Sequence, residues 1–158
     1  GLGDVLTRQM RRSIALLAPV LIFGASLAPA ADLRLVDGVS GAPVTWSDWV
    51  SRRGPVALLV WASWTPDATS ALAAYQGLTA ACEEKGLRLV VLDVQETLED
   101  GREALANHDG GWLHDRHGVL LKQYRVISVP SLLIVAADGG LLVKTEASPD
   151  AVRAWGGP

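Results

Sequence analysis

Two apolar runs constrain this chain more than anything else in it. Val56–Trp61 reads V-A-L-L-V-W and Leu87–Val94 reads L-R-L-V-V-L-D-V, and neither alternates polar with apolar. A continuous apolar run is the mark of a strand covered on both faces. Between the two lies a segment predicted to be helical from Pro66 to Lys85, with Ala71, Tyr75, Leu78 and Cys82 at helical spacing. Gly86 follows at the position where helices end. Strand, helix, strand in this order predicts a right-handed crossover inside an α/β sheet.

The flanking segments extend that frame. Leu33–Val36 and Val44–Thr45 enclose the turn D-G-V-S-G and predict an opening β-hairpin, followed by a short helix over 47–52. Glu96–Asn107 is predicted as a surface helix with Thr97 as its cap, and His117–Tyr124 as a short helix. Ser131–Ala137, the turn D-G-G and Leu141–Lys144 predict a closing hairpin, with a last short helix over 149–155. The stretch from His108 to His117 holds Gly110-Gly111 and reads as a loop. A length of 158 residues, 49% hydrophobic, suits one domain with a real core.

The N-terminus carries a different signal. Arg8, Arg11 and Arg12 precede an apolar run over 14–27 that ends in A-P-A at Ala28–Ala30. That is the form of a secretory signal peptide over residues 1–30, with residues 31–158 as the domain it exports. Met10 stands where an initiator would be expected. A second reading is an uncleaved anchor, although Pro19, Gly24 and Pro29 interrupt the run. The expected location is the periplasm or extracytoplasmic envelope. The whole chain has 14 basic and 17 acidic side chains; without Arg8, Arg11, Arg12 and Asp4 the domain keeps 11 and 16, a net charge of −5. Such a domain is no nucleic-acid binder, and membrane association is expected only if the N-terminal segment is retained.

Four motifs in order resemble the thioredoxin-like superfamily, and within it the exported redoxins of the TlpA/ResA type. They are V-D-G…G-A-P-V-T-W-S-D-W from Val36, V-A-L-L-V-W-A-S-W from Val56, H-D-R-H-G-V-L-L-K-Q-Y-R-V-I-S-V-P-S-L-L-I-V from His114, and A-A-D-G-G-L-L-V from Ala136. The resemblance implies a thioredoxin-like fold, a mixed central sheet flanked by helices with an N-terminal β-hairpin extension. It implies that the family's C-x-x-C pair would fall at Thr65 and Ala68, where this chain has T-P-D-A. A cysteine at a helix N-terminus is activated by the macrodipole and free amides; a threonine hydroxyl there, without a general base, is a poor nucleophile. Thr65, Pro66 and Asp67 suit a helix start, with Thr65 as cap and Pro66 in the first helical position. No catalytic residue is therefore expected at this turn, and dithiol chemistry is excluded there.

Other family positions carry the remaining expectations. Val129-Pro130 matches the cis-proline loop, where backbone groups pair with an extended peptide. A peptide-binding set of Trp64, Thr65, Val129 and Pro130 follows from that resemblance. Glu96 matches the acid that manages protons for the cysteine pair; with no thiol to serve, it also reads as a solvated residue. Trp61, Trp64 and Trp112, half of the six tryptophans, are expected to border the groove. Cys82 is the one cysteine, about 25 Å from Thr65 if the helix is continuous at 1.5 Å per residue, and reads as a buried small hydrophobe. His108, Asp109, His114, Asp115 and His117 form the one cluster with metal-ligand residue types, but in a loop they read as solvated. No metal and no cofactor is expected.

Three functional readings follow. The first is an exported binding or assembly module, without dithiol redox activity, that holds an extended segment of an envelope protein near the proline loop. The second is a thiol-disulfide oxidoreductase of the cytochrome-maturation class acting through Cys82 alone or with a partner's thiol. The third is a structural subunit whose groove is filled by its own chain or a permanent neighbour.

Overall fold

The computed structural model describes residues 33–157; the expected signal segment lies outside the described residues. The elements are β1 (Arg34–Asp37), β2 (Pro43–Thr45), α1 (Trp46–Arg53), β3 (Val56–Trp61), α2 (Ala68–Ala73), α3 (Tyr75–Glu84), β4 (Arg88–Val94), α4 (Leu98–Ala104), β5 (Trp112–Asp115), α5 (Val119–Gln123), β6 (Ser131–Val135), β7 (Leu141–Thr145) and α6 (Pro149–Ala154). Seven strands form one sheet in the order β2-β1-β5-β4-β3-β6-β7. β3, β4 and β5 run parallel, whereas β1 joins β5, and β6 joins β3, in antiparallel fashion. This is the mixed sheet of the thioredoxin-like fold, with the opening hairpin added at one edge.

Every residue of β3 is buried, and alternate side chains feed two cores. Val56, Leu58 and Val60 pack toward Trp46 and Val50 of α1 and Leu120 of α5. Ala57, Leu59 and Trp61 pack toward Leu78 and Cys82 of α3. Each fully buried Leu or Val contributes about 1.5–3 kcal/mol of apolar burial, so the doubly covered strand anchors the domain. Tyr124 ties one layer together: its hydroxyl accepts from the Trp46 indole N–H at 2.8 Å and donates to the Gly139 carbonyl at 2.6 Å.

Three expectations are corrected. The segment read as a loop before His117 contains β5, all four of whose residues are buried. His114 and Asp115 hid the strand because both polar side chains are buried, His114 Nδ1 meeting Asp93 and Asp115 accepting from backbone amides. The long helix is two helices. It begins at Ala68 and turns at Ala74, whose ψ of −3° departs from the helical value of about −42°. Thr65 does not cap it: Asp67 occupies the cap position, and the Thr65 hydroxyl instead donates to the Ala62 carbonyl at 2.9 Å. Two successive turns, Thr65 N–H to Ala62 and Ala68 N–H to Thr65, delay the helix by one turn.

The added hairpin is seated by close packing at Gly38. Its N–H donates to the Trp112 carbonyl at 2.9 Å, and a Cβ placed there would come within 2.2 Å of the Trp112 ring. Gly38→Ala is expected to destabilise the domain by about 1–3 kcal/mol, the usual cost of overpacking a filled site. Urea unfolding of the variant, with an unchanged denaturant slope, checks this.

Candidate functional site: a groove and the polar chain beneath it

The parallel strands β3, β4 and β5 all end on one side of the sheet, and their following loops meet there. β3 leads into Ala62–Asp67, β4 into Gln95–Thr97, and β5 into Arg116–Gly118. Because β6 runs antiparallel beside β3, with Ser131 opposite Val60, its preceding loop Ile127–Pro130 arrives at the same place. The pairing of β3 with β6 thus brings Trp64, Thr65, Val129 and Pro130 to one end of the molecule.

These residues do not share one surface. Thr65 is buried, with 7% of its surface accessible, while Trp64 is 56% exposed and Ile127 is 96% exposed. Trp64 and Ile127 wall a cavity of about 510 Å³ with Val129, Leu121 and Val126. The Trp64 ring is held by its indole N–H, which reaches the Val94 carbonyl at 3.4 Å. Two residues flank the groove in the left-handed region, Gln95 at φ 57° and Arg125 at φ 52°, where side chains are uncommon and cluster at functional sites. The Val129-Pro130 peptide is cis. Among the described residues, the backbone groups of Ile127, Ser128 and Val129 find no hydrogen-bond partner. Trp61 and Trp112, expected at the groove, are instead core residues at 2% and 6% exposure. Trp61 faces inward along β3 and spends its N–H on the Ala68 carbonyl at 2.8 Å. Ala68 therefore serves as the acceptor that fixes that indole.

Beneath the turn runs a chain of polar groups that the sequence did not announce. Glu96 is half-buried and bound by protein donors. One of its oxygens accepts from the Ser63 amide at 3.1 Å and the other from the Ser63 hydroxyl. Asp93, wholly buried on β4, receives His114 Nδ1 of β5 at 2.9 Å. Burial first, and then the hydrogen bond and charge of Glu96, push Asp93 up to about 9. Burial alone would raise Glu96, but hydrogen bonds from Asp93 and Ser63 outweigh it and hold Glu96 below its ordinary value. Burial lowers His114, with the Glu96 charge pulling partly the other way. The opposed shifts of the two acids place the proton on Asp93 and the charge on Glu96, which Ser63, the residue before Trp64, binds through both its amide and its hydroxyl. His114 Nδ1 meets Asp93 Oδ2, while Asp93 Oδ1 and His114 Nε2 have no partner among the described residues. Asp93 was the available sequence signal: an acid inside an otherwise apolar strand is rarely buried without a partner.

The remaining candidates disperse. Asp115 caps α5, accepting from the Val119 amide at 2.8 Å and the Leu120 amide at 3.0 Å. His108 packs edge-on against Tyr75 at 4.6 Å, while Asp109 and His117 lie in separate loops. Among the described residues, no three His, Cys, Asp or Glu side chains come together as a metal site. Cys82 is fully buried on α3, and burial, reinforced by Glu83, raises its thiol to about 11. A buried thiol with so little thiolate lacks both requirements of a nucleophile.

Two outcomes are expected. Asp93 holds a proton in the folded state that the unfolded chain releases near 3.8, so stability falls as pH rises from about 4 to about 9. Asp93→Asn, neutral at every pH, removes that slope; its gain in melting temperature over the parent should be larger at pH 8 than at pH 5. Cys82 should resist iodoacetamide in the native protein and react stoichiometrically in guanidinium, as read by mass spectrometry.

Comparison with known proteins agrees with this architecture. A family model described as the AhpC/TSA family matches residues 26–143. Among solved structures, a putative thiol:disulfide interchange protein DsbE from Chlorobium tepidum superposes with a TM-score of 0.60 at 22% identity, covering 79% of this chain and 88% of its own. The pneumococcal exposed lipoprotein thioredoxin Etrx1 from Streptococcus pneumoniae gives 0.58 at 24% identity, covering 77% and 95%. A secreted Mycobacterium tuberculosis disulfide oxidoreductase, described as homologous to Escherichia coli DsbE, gives 0.55 at 20%, covering 80% and 95%. At these identities the likeness establishes the fold. No curated protein sequence matches the chain.

Proposed function

We propose that this chain, which belongs to the AhpC/TSA family, is an exported binding or assembly module that holds an extended segment of an envelope protein and carries out no dithiol exchange. The carrying observation is the pair of exposed apolar side chains, Trp64 and Ile127, that wall the groove beside T-P-D-A, the place of the cysteine pair in the TlpA/ResA-type redoxins that the sequence resembles. An exposed tryptophan beside an almost wholly exposed isoleucine is costly to leave in water and suits the centre of an interface. Next to them, the unpartnered backbone of Ile127, Ser128 and Val129 offers donors and acceptors for β-augmentation, which requires no sulfur. Thr65 serves as a packing and turn residue in this reading, its hydroxyl spent on Ala62. Export rests on the basic and apolar leader pattern of residues 1–30 and on the secreted and exposed relatives. The buried, poorly ionised Cys82 argues against the single-thiol oxidoreductase.

The test has two arms. Insulin reduction by dithiothreitol should proceed no faster with the protein than without it; turnover above that background would overturn the proposal. A photocrosslinker at residue 127, used in envelope extracts, should capture a protein that Trp64→Ala releases. The substitution should weaken the isolated pair by roughly 30-fold, the cost of truncating an interface hot spot of about 2 kcal/mol. Capture that survives Trp64→Ala unchanged would sink the groove as the binding surface.

A further inference from the structure

We propose a second binding site, on the far side of β5 from that groove, for a small organic anion with an apolar body. A cavity of about 350 Å³ opens between the opening hairpin's β1, the end of β5 and the start of α4. Its size lies at the lower end of the ~300–1,000 Å³ range of ligand clefts. Leu35, Val36, Leu98 and Val119 supply apolar wall.

The rim has the opposite character. Arg34, Arg116 and His117 stand around it, all exposed, and none makes a side-chain hydrogen bond or ion pair with a described residue. The acid in the lining, Asp115, is 2% exposed and occupied by the amides of α5; it acts on His117 and makes no ion pair with Arg34 or Arg116. Two unpaired guanidinium groups over an apolar pocket, with the His117 ring beside them, favour a ligand that is anionic at one end and apolar at the other. His114 adds a polar demand within the wall. It is 3% exposed, its Nδ1 is committed to Asp93, and its Nε2 has no partner among the described residues. Burial first, and then the Arg116 charge, hold its protonation down against the pull of Glu96, so that guanidinium lies toward the same end of the cavity. The domain carries a net negative charge by sequence, so this patch is a local exception rather than a reflection of overall basicity.

Octanoate is the probe, with octanol and acetate as controls for the charge and the apolar body. Binding to the full chain is followed by amide chemical shifts, which locate it, and by calorimetry, which gives its strength. Octanoate should bind saturably in the micromolar to millimolar range and shift resonances of Leu35, Leu98 and Val119, with octanol and acetate each at least tenfold weaker. The double variant Arg34→Ala, Arg116→Ala should lose at least tenfold in octanoate affinity with its thermal unfolding unchanged, since both side chains are exposed. Leu98→Trp, which fills the cavity while leaving the cations in place, should abolish binding. Absence of saturable binding, equal affinity for octanol, shifts confined to Trp64 and Ile127, or affinity indifferent to the variants would each overturn the proposal.

Discussion

The complete burial of β3 is the constraint on which the rest of the structure depends. A strand with apolar side chains on both faces must be covered on both, and the helices before and after it supply the two layers. Its parallel neighbour β4 and antiparallel neighbour β6 then deliver two loops to one end of the sheet. The groove between Trp64 and Ile127 is a consequence of that pairing. Moving the β3–β6 register by one residue would turn Leu132 and Leu133 to the wrong layers, so hydrophobic burial also fixes where the groove lies.

Inside this apolar frame, the acid pair Asp93 and Glu96 is the exceptional element. Two carboxyl groups at close range do not both ionise readily where burial penalises charge, so Asp93 is pushed up and Glu96 held down. Glu96 holds the turn after β3 through Ser63, and Asp93 joins β4 to β5 through His114. Gly101 of α4 permits the arrangement, because a Cβ there would come within 2.2 Å of the Asp93 carboxylate. Glu96 thereby forms part of the scaffold under an exposed tryptophan, and the turn that holds no cysteine is shaped by hydrogen bonds.

Much of the fold was legible in the residues. The apolar runs at Val56 and Leu87, the two hairpins and the thioredoxin-like order of motifs were read directly, because local patterning and burial agree there. β5 was not, since W-L-H-D has neither alternation nor a continuous apolar run, and its two polar members are buried, His114 against a partner 21 residues away and Asp115 against the amides of α5. The same reason hid the Asp93–His114 contact, whose members are 21 residues apart and meet through the parallel pairing of β4 with β5. Tryptophans were ambiguous for a related cause. Trp61, Ser63 and Trp64 are neighbours in sequence, yet the end of the strand turns the first into the core and leaves the last in solvent.

What the sequence determined by itself was composition at the turn: T-P-D-A in place of two cysteines, and a single cysteine elsewhere, exclude an internal dithiol whatever the packing. It also determined the sheet, because apolar runs of that length have few ways to leave water. Only the tertiary structure decided which side chains face outward at the turn, that Thr65 turns inward, that Glu96 is held by Ser63, and that Cys82 is sealed. Those outcomes depend on pairing between strands and on hydrogen bonds formed across them. Such long-range terms are set by neighbours in space, and no local stretch of sequence carries them.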